Sequence, residues 1–139
     1  GNGVPLEGHV FISVRDHDKP AMIELGRLLV DLGFELIATR GTAKTLGDSG
    51  LRVQIINKVL EGPPHIVDAL ANGEIRLVFN TTEGAQAIAD SASLRRAALL
   101  NHVPYCTTVA GSRAMVQAIT ALKTGTLEVT PLQSYSESF

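Results

Sequence analysis

The residues of this sequence best suited to chemistry gather around Ala38-Thr39-Arg40-Gly41-Thr42-Ala43. A short apolar run, Phe34-Glu35-Leu36-Ile37-Ala38, leads into this turn, and Thr42 to Ser49 can form two turns of helix ended by Gly50. A strand, a tight turn and a helix N-terminus in succession offer an anion backbone N–H donors and a partial positive charge. Gly41 lets the backbone approach a ligand, Thr42 is the expected N-cap, and the hydroxyls of Thr39 and Thr42 can turn toward a phosphate oxygen. Lys19 and Lys58 add compact point charges, suited to a dianion that must also be released. The plainer reading is an ordinary turn with a capping threonine and solvated lysines.

The order of the elements bears on that choice. His9 to Val14 is a strand with almost no polar interruption, as a strand buried on both faces requires. Asp18 is placed to cap a helix with Pro20 in its first turn and Met22, Leu25, Leu29 and Leu32 on its buried face, and Gly33 stops it. Arg52 to Ile56 alternates like an edge strand, Glu61-Gly62-Pro63-Pro64 is a loop, and His65 to Asn72 is a short helix closed by Gly73. Ile75 to Phe79 is a fourth strand with Asn80 to Gly84 as its exit loop. Two helical pieces follow, Ala85 to Ala89 and Ser93 to Asn101, with Asp90 or Ser91 as the cap between them. Val103 to Cys106 is a fifth strand and Ser112 to Lys123 the last helix. Such alternation implies a parallel sheet with helices on both faces, and in these sheets ligands lie beyond the carboxyl ends of the strands, where the strand order reverses. Lys19, Thr39, Thr42, Lys58, Asn80, Thr82, Tyr105 and Thr107 all follow strands, which favours a phosphate site over turn chemistry.

Composition narrows the partners. The chain has 139 residues, 45% of them hydrophobic, and is expected to form a single domain over residues 1–139, with a core at about 8–123 and a partly ordered tail at 124–139. No apolar run approaches the roughly 20 residues of a membrane span and no signal peptide pattern is present, so a cytoplasmic protein without a membrane partner is expected. A net charge of −2, 4% aromatic residues and no tryptophan argue against nucleic acid. One cysteine excludes an internal disulfide, and no metal site is expected. Cys106 near His102 reads as a small buried thiol, and His65 with Asp68 as a helix-start feature, so no catalytic residue is assigned. The start Gly1-Asn2-Gly3, without a methionine, fits a fragment of a larger subunit.

Read together, S-V-R-D-H-D-K at 13–19, A-T-R-G-T-A at 38–43, N-K-V-x-E-G-P-P-H-I at 57–66, N-T-T at 80–82, D-S at 90–91, L-R-R-A-A-L at 94–99 and Y-C-T-T at 105–108 resemble the methylglyoxal-synthase-like domain. More closely, they resemble the carboxyl-terminal allosteric domain of the carbamoyl-phosphate synthase large subunit, in register from about His9 to about Leu122. The resemblance implies a three-layer α/β/α fold with a five-stranded parallel sheet of order 3-2-1-4-5. It implies a regulatory domain that binds UMP as inhibitor, or IMP, through Lys19, Thr39, Gly41, Thr42, Lys58, Asn80 and Thr82, with Asn80 and Thr82 on the ribose or base. Tyr105 and Thr107 match positions that help hold the activator ornithine together with parent domains. The implied parent is a glutamine-hydrolysing, ATP-dependent ligase of arginine and pyrimidine biosynthesis. Its partners are the remainder of the large subunit and a small glutaminase subunit, and its cofactors are ATP with magnesium, potassium being left open. No cofactor is expected in this domain.

Two alternatives stay open, a phosphate lyase of the methylglyoxal synthase type and a module for homo-oligomerisation. His17 lies in a segment similar to one the lyase carries. The resemblance implies a catalytic carboxylate in a Gly-Asp segment after the third strand, where this chain reads Glu61-Gly62-Pro63-Pro64-His65; its Gly47-Asp48 lies elsewhere. The region Glu83 to Asp90, matching the second histidine-bearing segment of the enzyme, has no histidine.

Overall fold

The computed structural model describes residues 5–56, 66–81 and 85–124, with the backbone alone for 85–91. Lys58, Thr82, His65, the loop Glu61 to Pro64 and the tail beyond Thr124 lie outside the described residues. The elements run β1 (His9–Ser13), α1 (Lys19–Asp31), β2 (Glu35–Ala38), α2 (Arg40–Asp48), β3 (Val53–Ile55), α3 (Ile66–Ala71), β4 (Ile75–Asn80), α4 (Ala85–Leu100), β5 (Tyr105–Cys106) and α5 (Val109–Thr124). All the strand pairings are parallel, in the order β3-β2-β1-β4-β5. The three-layer arrangement and strand order expected from the sequence are therefore present.

The alternation of side chains along β1 divides the core in two. Val10, Ile12 and Val14 join Met22, Leu25 and Leu29 of α1, Ala43 and Leu46 of α2, and Val116 and Ile119 of α5. Phe11 points the other way, to Ile66, Ala69 and Leu70 of α3 and Leu94 and Ala97 of α4. Right-handed crossovers account for this division. The chain moves outward from β1 to β3 with α1 and α2 on one face, then doubles back to β4, which puts α3 and α4 on the other. The reversal falls between β1 and β4, both buried on two faces, whereas β3 stands at the edge with Gln54 and Ile55 exposed.

The strands differ from the sequence expectation by one or two residues at their ends, and three helices differ in ways that bear on the fold. Helix α4 is continuous from Ala85 to Leu100, not two pieces. Asp90 and Ser91 each cost only about 0.5 kcal/mol inside a helix, and an alanine-rich segment absorbs that. Helix α2 begins at Arg40, with Thr39 and not Thr42 at the N-cap position. Helix α5 begins at Val109, three residues before Ser112, because the Gly111 N–H donates to Thr108 Oγ1 at 3.0 Å and caps the first turn.

Helix ends show how locally the chain is punctuated. At the end of α1, Gly33 N–H donates to Val30 O and Phe34 N–H to Leu29 O, and Gly33 takes a φ of +101°. Helix α4 ends with the same pair of bonds, His102 N–H to Leu99 O and Val103 N–H to Ala98 O, but a histidine occupies the left-handed position at φ +57°. Gly33→Ala is expected to lower stability by about 1 kcal/mol. The cost is conformational, since the new Cβ would meet only Lys123 Nζ at 3.9 Å. His102→Gly is expected to raise stability by about 0.5 kcal/mol, relief of the left-handed strain exceeding the added unfolded-state entropy. Urea unfolding midpoints of the two variants check both signs.

Candidate functional site

The register of the sheet gathers polar residues at one end. Ser13 at the end of β1 pairs with Asn80 at the end of β4, and Ile12 pairs with Ala38, so that Thr39 emerges beside Ser13. The ladder runs on into the loop, where Thr81 N–H donates to Ser13 O at 3.0 Å. Among the described residues, the buried polar side chains are Ser13, Asp18, Thr39, Thr42, Asn80, Thr81 and Ser112, and each lies at or beyond the carboxyl end of a strand. Burying a hydroxyl costs free energy unless it is bonded. Here Ser13 Oγ and Thr39 Oγ1 lie 3.4 Å apart, Thr42 Oγ1 accepts from Val14 N–H at 3.2 Å, and Thr81 Oγ1 accepts from Arg15 N–H at 3.2 Å.

Lys19 opens α1 and turns over the start of α2. A Cβ built on Gly41 would stand 3.8 Å from Lys19 Nζ. Gly41 is an ordinary helical residue without a positive φ, so what it contributes is the open space beneath the ammonium. The first bond of α2 runs from Ala43 N–H to Thr39 O at 2.8 Å, so the helix itself supplies no acceptor to the N–H groups of Gly41 and Thr42. Thr39 makes no side-chain capping bond. The Thr42 hydroxyl, spent on Val14, ties the first turn of α2 to the end of β1. A cation and a helix N-terminus flanked by two threonines thus lie together beyond the ends of β1 and β2, an arrangement whose charge and N–H donors suit an anion.

The turn between β1 and α1 carries two carboxylates with different surroundings. Asp18 stands at the N-cap position of α1, but its side chain makes no cap bond there. It pairs with Arg15 Nε at 2.8 Å and accepts a hydrogen bond from the Thr81 hydroxyl. Burial pushes its carboxyl up, but the bonds from Thr81 and Arg15, with the charges of Arg15 and His17, outweigh it and hold the group below the ordinary carboxylate value. Asp16 is 96% exposed and holds Lys19 Nζ at 2.6 Å, and the hydrogen bond and charge of Lys19 draw its carboxyl down.

At the far side of the reversal, Asn80 Nδ2 donates to the Tyr105 hydroxyl at 2.7 Å, and the Arg95 guanidinium lies 4.8 Å from the centre of the Tyr105 ring. Thr107 is exposed just beyond β5. Cys106 packs against the core and burial pushes its thiol up, as befits an inert thiol. Asp68 lies on α3, on the face of the sheet away from α1 and α2. The structure thus brings Lys19, Thr39, Gly41 and Thr42 together and links them through Ser13 to Asn80 and Tyr105. The sequence reading gave no site role to Ser13, Arg15, Asp16 or Thr81, although S-V-R-D-H-D-K and N-T-T contain all four.

Thr81→Val removes one acceptor and one donor from this turn and is expected to cost about 1–3 kcal/mol in urea unfolding at neutral pH. Because the folded-state pKa of Asp18 is depressed, its contribution is present above the unfolded carboxylate value of about 3.9 and is lost as pH falls below it. Asp18→Asn should therefore flatten the fall of stability as pH drops below about 4, relative to the unsubstituted chain.

Comparison with known proteins agrees with this fold. Residues 21–107 match the family model of the MGS-like domain. The carbamoyl phosphate synthase large chain of Rhizobium meliloti (strain 1021) is 54% identical over 99% of this chain, and that of Brucella suis biovar 1 is 51% identical over 99%. The chain spans 12% of the length of each of these relatives. Among solved structures, methylglyoxal synthase from Elizabethkingia anophelis aligns with a TM-score of 0.64 at 18% identity, over 81% of this chain and 79% of that one. ForH aligns with a TM-score of 0.55 at 20% identity, over 90% of this chain and 82% of that one. Identities this low speak for the fold alone. The chain belongs to the MGS-like domain family and is homologous to the MGS-like domain of the carbamoyl phosphate synthase large chain.

Proposed function

We propose that this chain is a regulatory nucleotide-binding domain of a carbamoyl-phosphate synthase large subunit, placed at that subunit's carboxyl terminus and without a reaction of its own. The ligand is a nucleoside monophosphate, UMP as inhibitor or IMP. Its phosphate lies on Lys19, Thr39, Thr42 and the backbone at Gly41, with Lys58 as a second cation, and its ribose or base is met by Asn80 and Thr82. Tyr105 and Thr107 help to hold ornithine where this domain meets the rest of the subunit. The parent makes carbamoyl phosphate in the cytoplasm for arginine and pyrimidine synthesis, with a glutaminase subunit as partner and ATP with magnesium as cofactor.

The observation that carries this reading is the position of Lys19 Nζ over the open backbone at Gly41, at the N-terminus of α2. A dianion placed there meets a cation and oriented N–H groups in one step. Inhibition then follows if the pocket binds UMP better in the less active state of the parent, a coupling typically of about 1–3 kcal/mol.

UMP at about 100 times its Kd should add about 2.7 kcal/mol of stability and raise the melting temperature by several degrees. Lys19→Ala and Lys58→Ala should each weaken binding at least about tenfold. Melting curves read both effects, and an unchanged melting temperature at millimolar UMP with the fold intact would overturn the assignment. The lyase alternative requires methylglyoxal to form from dihydroxyacetone phosphate in the same samples. The assembly alternative requires self-association by sedimentation without nucleotide binding.

A further inference from the structure

Asp16 has no place in the nucleotide-binding reading, yet it touches the group at its centre. It sits on the 3₁₀ turn Asp16–Asp18, its carboxylate almost wholly in solvent, and is bonded to Lys19 Nζ at 2.6 Å. The Lys19 side chain is only 18% exposed. Among the described residues, Asp16 is the carboxylate paired with this ammonium. The turn explains the contact, because three residues per turn place side chains at i and i+3 in line. The same geometry makes the neighbouring pair, Arg15 with Asp18, but there the carboxylate is buried and also held by Thr81. The two pairs differ in what breaking them costs. Parting Arg15 from Asp18 would leave a buried charge, whereas parting Lys19 from Asp16 returns the carboxylate to water.

We propose that Asp16 is a built-in competitor for Lys19, a carboxylate that occupies the ammonium until a phosphate displaces it. This rests on the phosphate-binding reading given above and adds a residue that sets its strength. An arriving anion must outbid a carboxylate already bonded to the ammonium. A phosphate monoester, with close to two charges and three acceptor oxygens, does so while its other oxygens take the N–H groups of α2. A singly charged carboxylate only replaces what Asp16 already supplies. Asp16 therefore weakens binding of every anion that must displace it from Lys19.

The test is calorimetric titration of the 139-residue chain and two variants with UMP, inorganic phosphate and acetate at fixed ionic strength. Asp16→Asn removes the competitor. Asp48→Asn makes the same change in net charge at the other end of α2, about 12 Å along the helix axis, where Asp48 pairs with Lys44. Asp16→Asn should bind UMP and inorganic phosphate about two- to fivefold more tightly, the range of a solvent-exposed ion pair, and should gain measurable acetate binding. Asp48→Asn should match the unsubstituted chain. If the unsubstituted chain binds phosphate and Asp16→Asn binds it equally or more weakly, the competitor role is overturned and the binding site stands. If Asp48→Asn tightens binding as much as Asp16→Asn, net charge and not displacement is responsible, and the role is again overturned. If none of the three proteins binds UMP or phosphate, the site and the competitor fall together.

Discussion

The pairing of β1 with β4 is the contact on which the arrangement at the carboxyl end of the sheet depends. It sets Ser13 beside Asn80 and runs past the strands through the Thr81 N–H, which reaches Ser13 O. From that point the Thr81 side chain grips the β1–α1 turn by way of Arg15 and Asp18. Lys19 is the next residue, and its position over α2 follows from where that turn is held. The register has no freedom to shift, because both faces of β1 and β4 are buried. A slip of one residue would drive Phe11 into the layer built by Val10 and Ile12, and Phe79 into the layer built by Val78. The packing of the two cores therefore fixes the positions of polar groups that neither core contains.

The same separation explains why the polar groups lie only where they do. The two apolar layers use almost the whole length of β1, β2 and β4, so a buried hydroxyl among the described residues occurs only at the last strand position or beyond it. There the loops turn away and the backbone ladder leaves N–H groups without a neighbouring strand. Threonine supplies an acceptor without adding a charge. Thr42 serves Val14, Thr81 serves Arg15 and Thr108 serves Gly111. What reads as a constellation of binding residues is, in part, the set of bonds that closes this end of the fold.

This double use also explains how much of the site could be read from sequence. The alternation of elements, the helix-ending glycines and the placement of Lys19, Thr39, Thr42 and Asn80 at or just after strand ends are local patterns, and local patterns are legible in the sequence. The strand order came with the family likeness, not from periodicity. Ser13, Arg15 and Thr81 went unnoticed because their importance arises from register between segments far apart in the chain, which no single window contains. The start of α2 was misread for a related reason. A threonine before a helical run suggests a cap, but here Thr42 lies in the first turn and spends its hydroxyl on Val14, a residue 28 positions away.

Hydrogen-bonding capacity then separates the residues that close the fold from those that can still receive a ligand. A hydroxyl has one proton to donate and two lone pairs to accept with. Thr81 accepts from Arg15 N–H and donates to Asp18, so its proton is committed. Thr42 accepts from Val14 N–H, and its own proton meets no acceptor among the described residues. Tyr105 is in the same position, since it accepts from Asn80 and its own proton meets no acceptor among the described residues. The donors left over on Thr42 and Tyr105 suit anionic or carbonyl oxygens. The committed Thr81, together with Asp18, is part of the frame on which those donors are held.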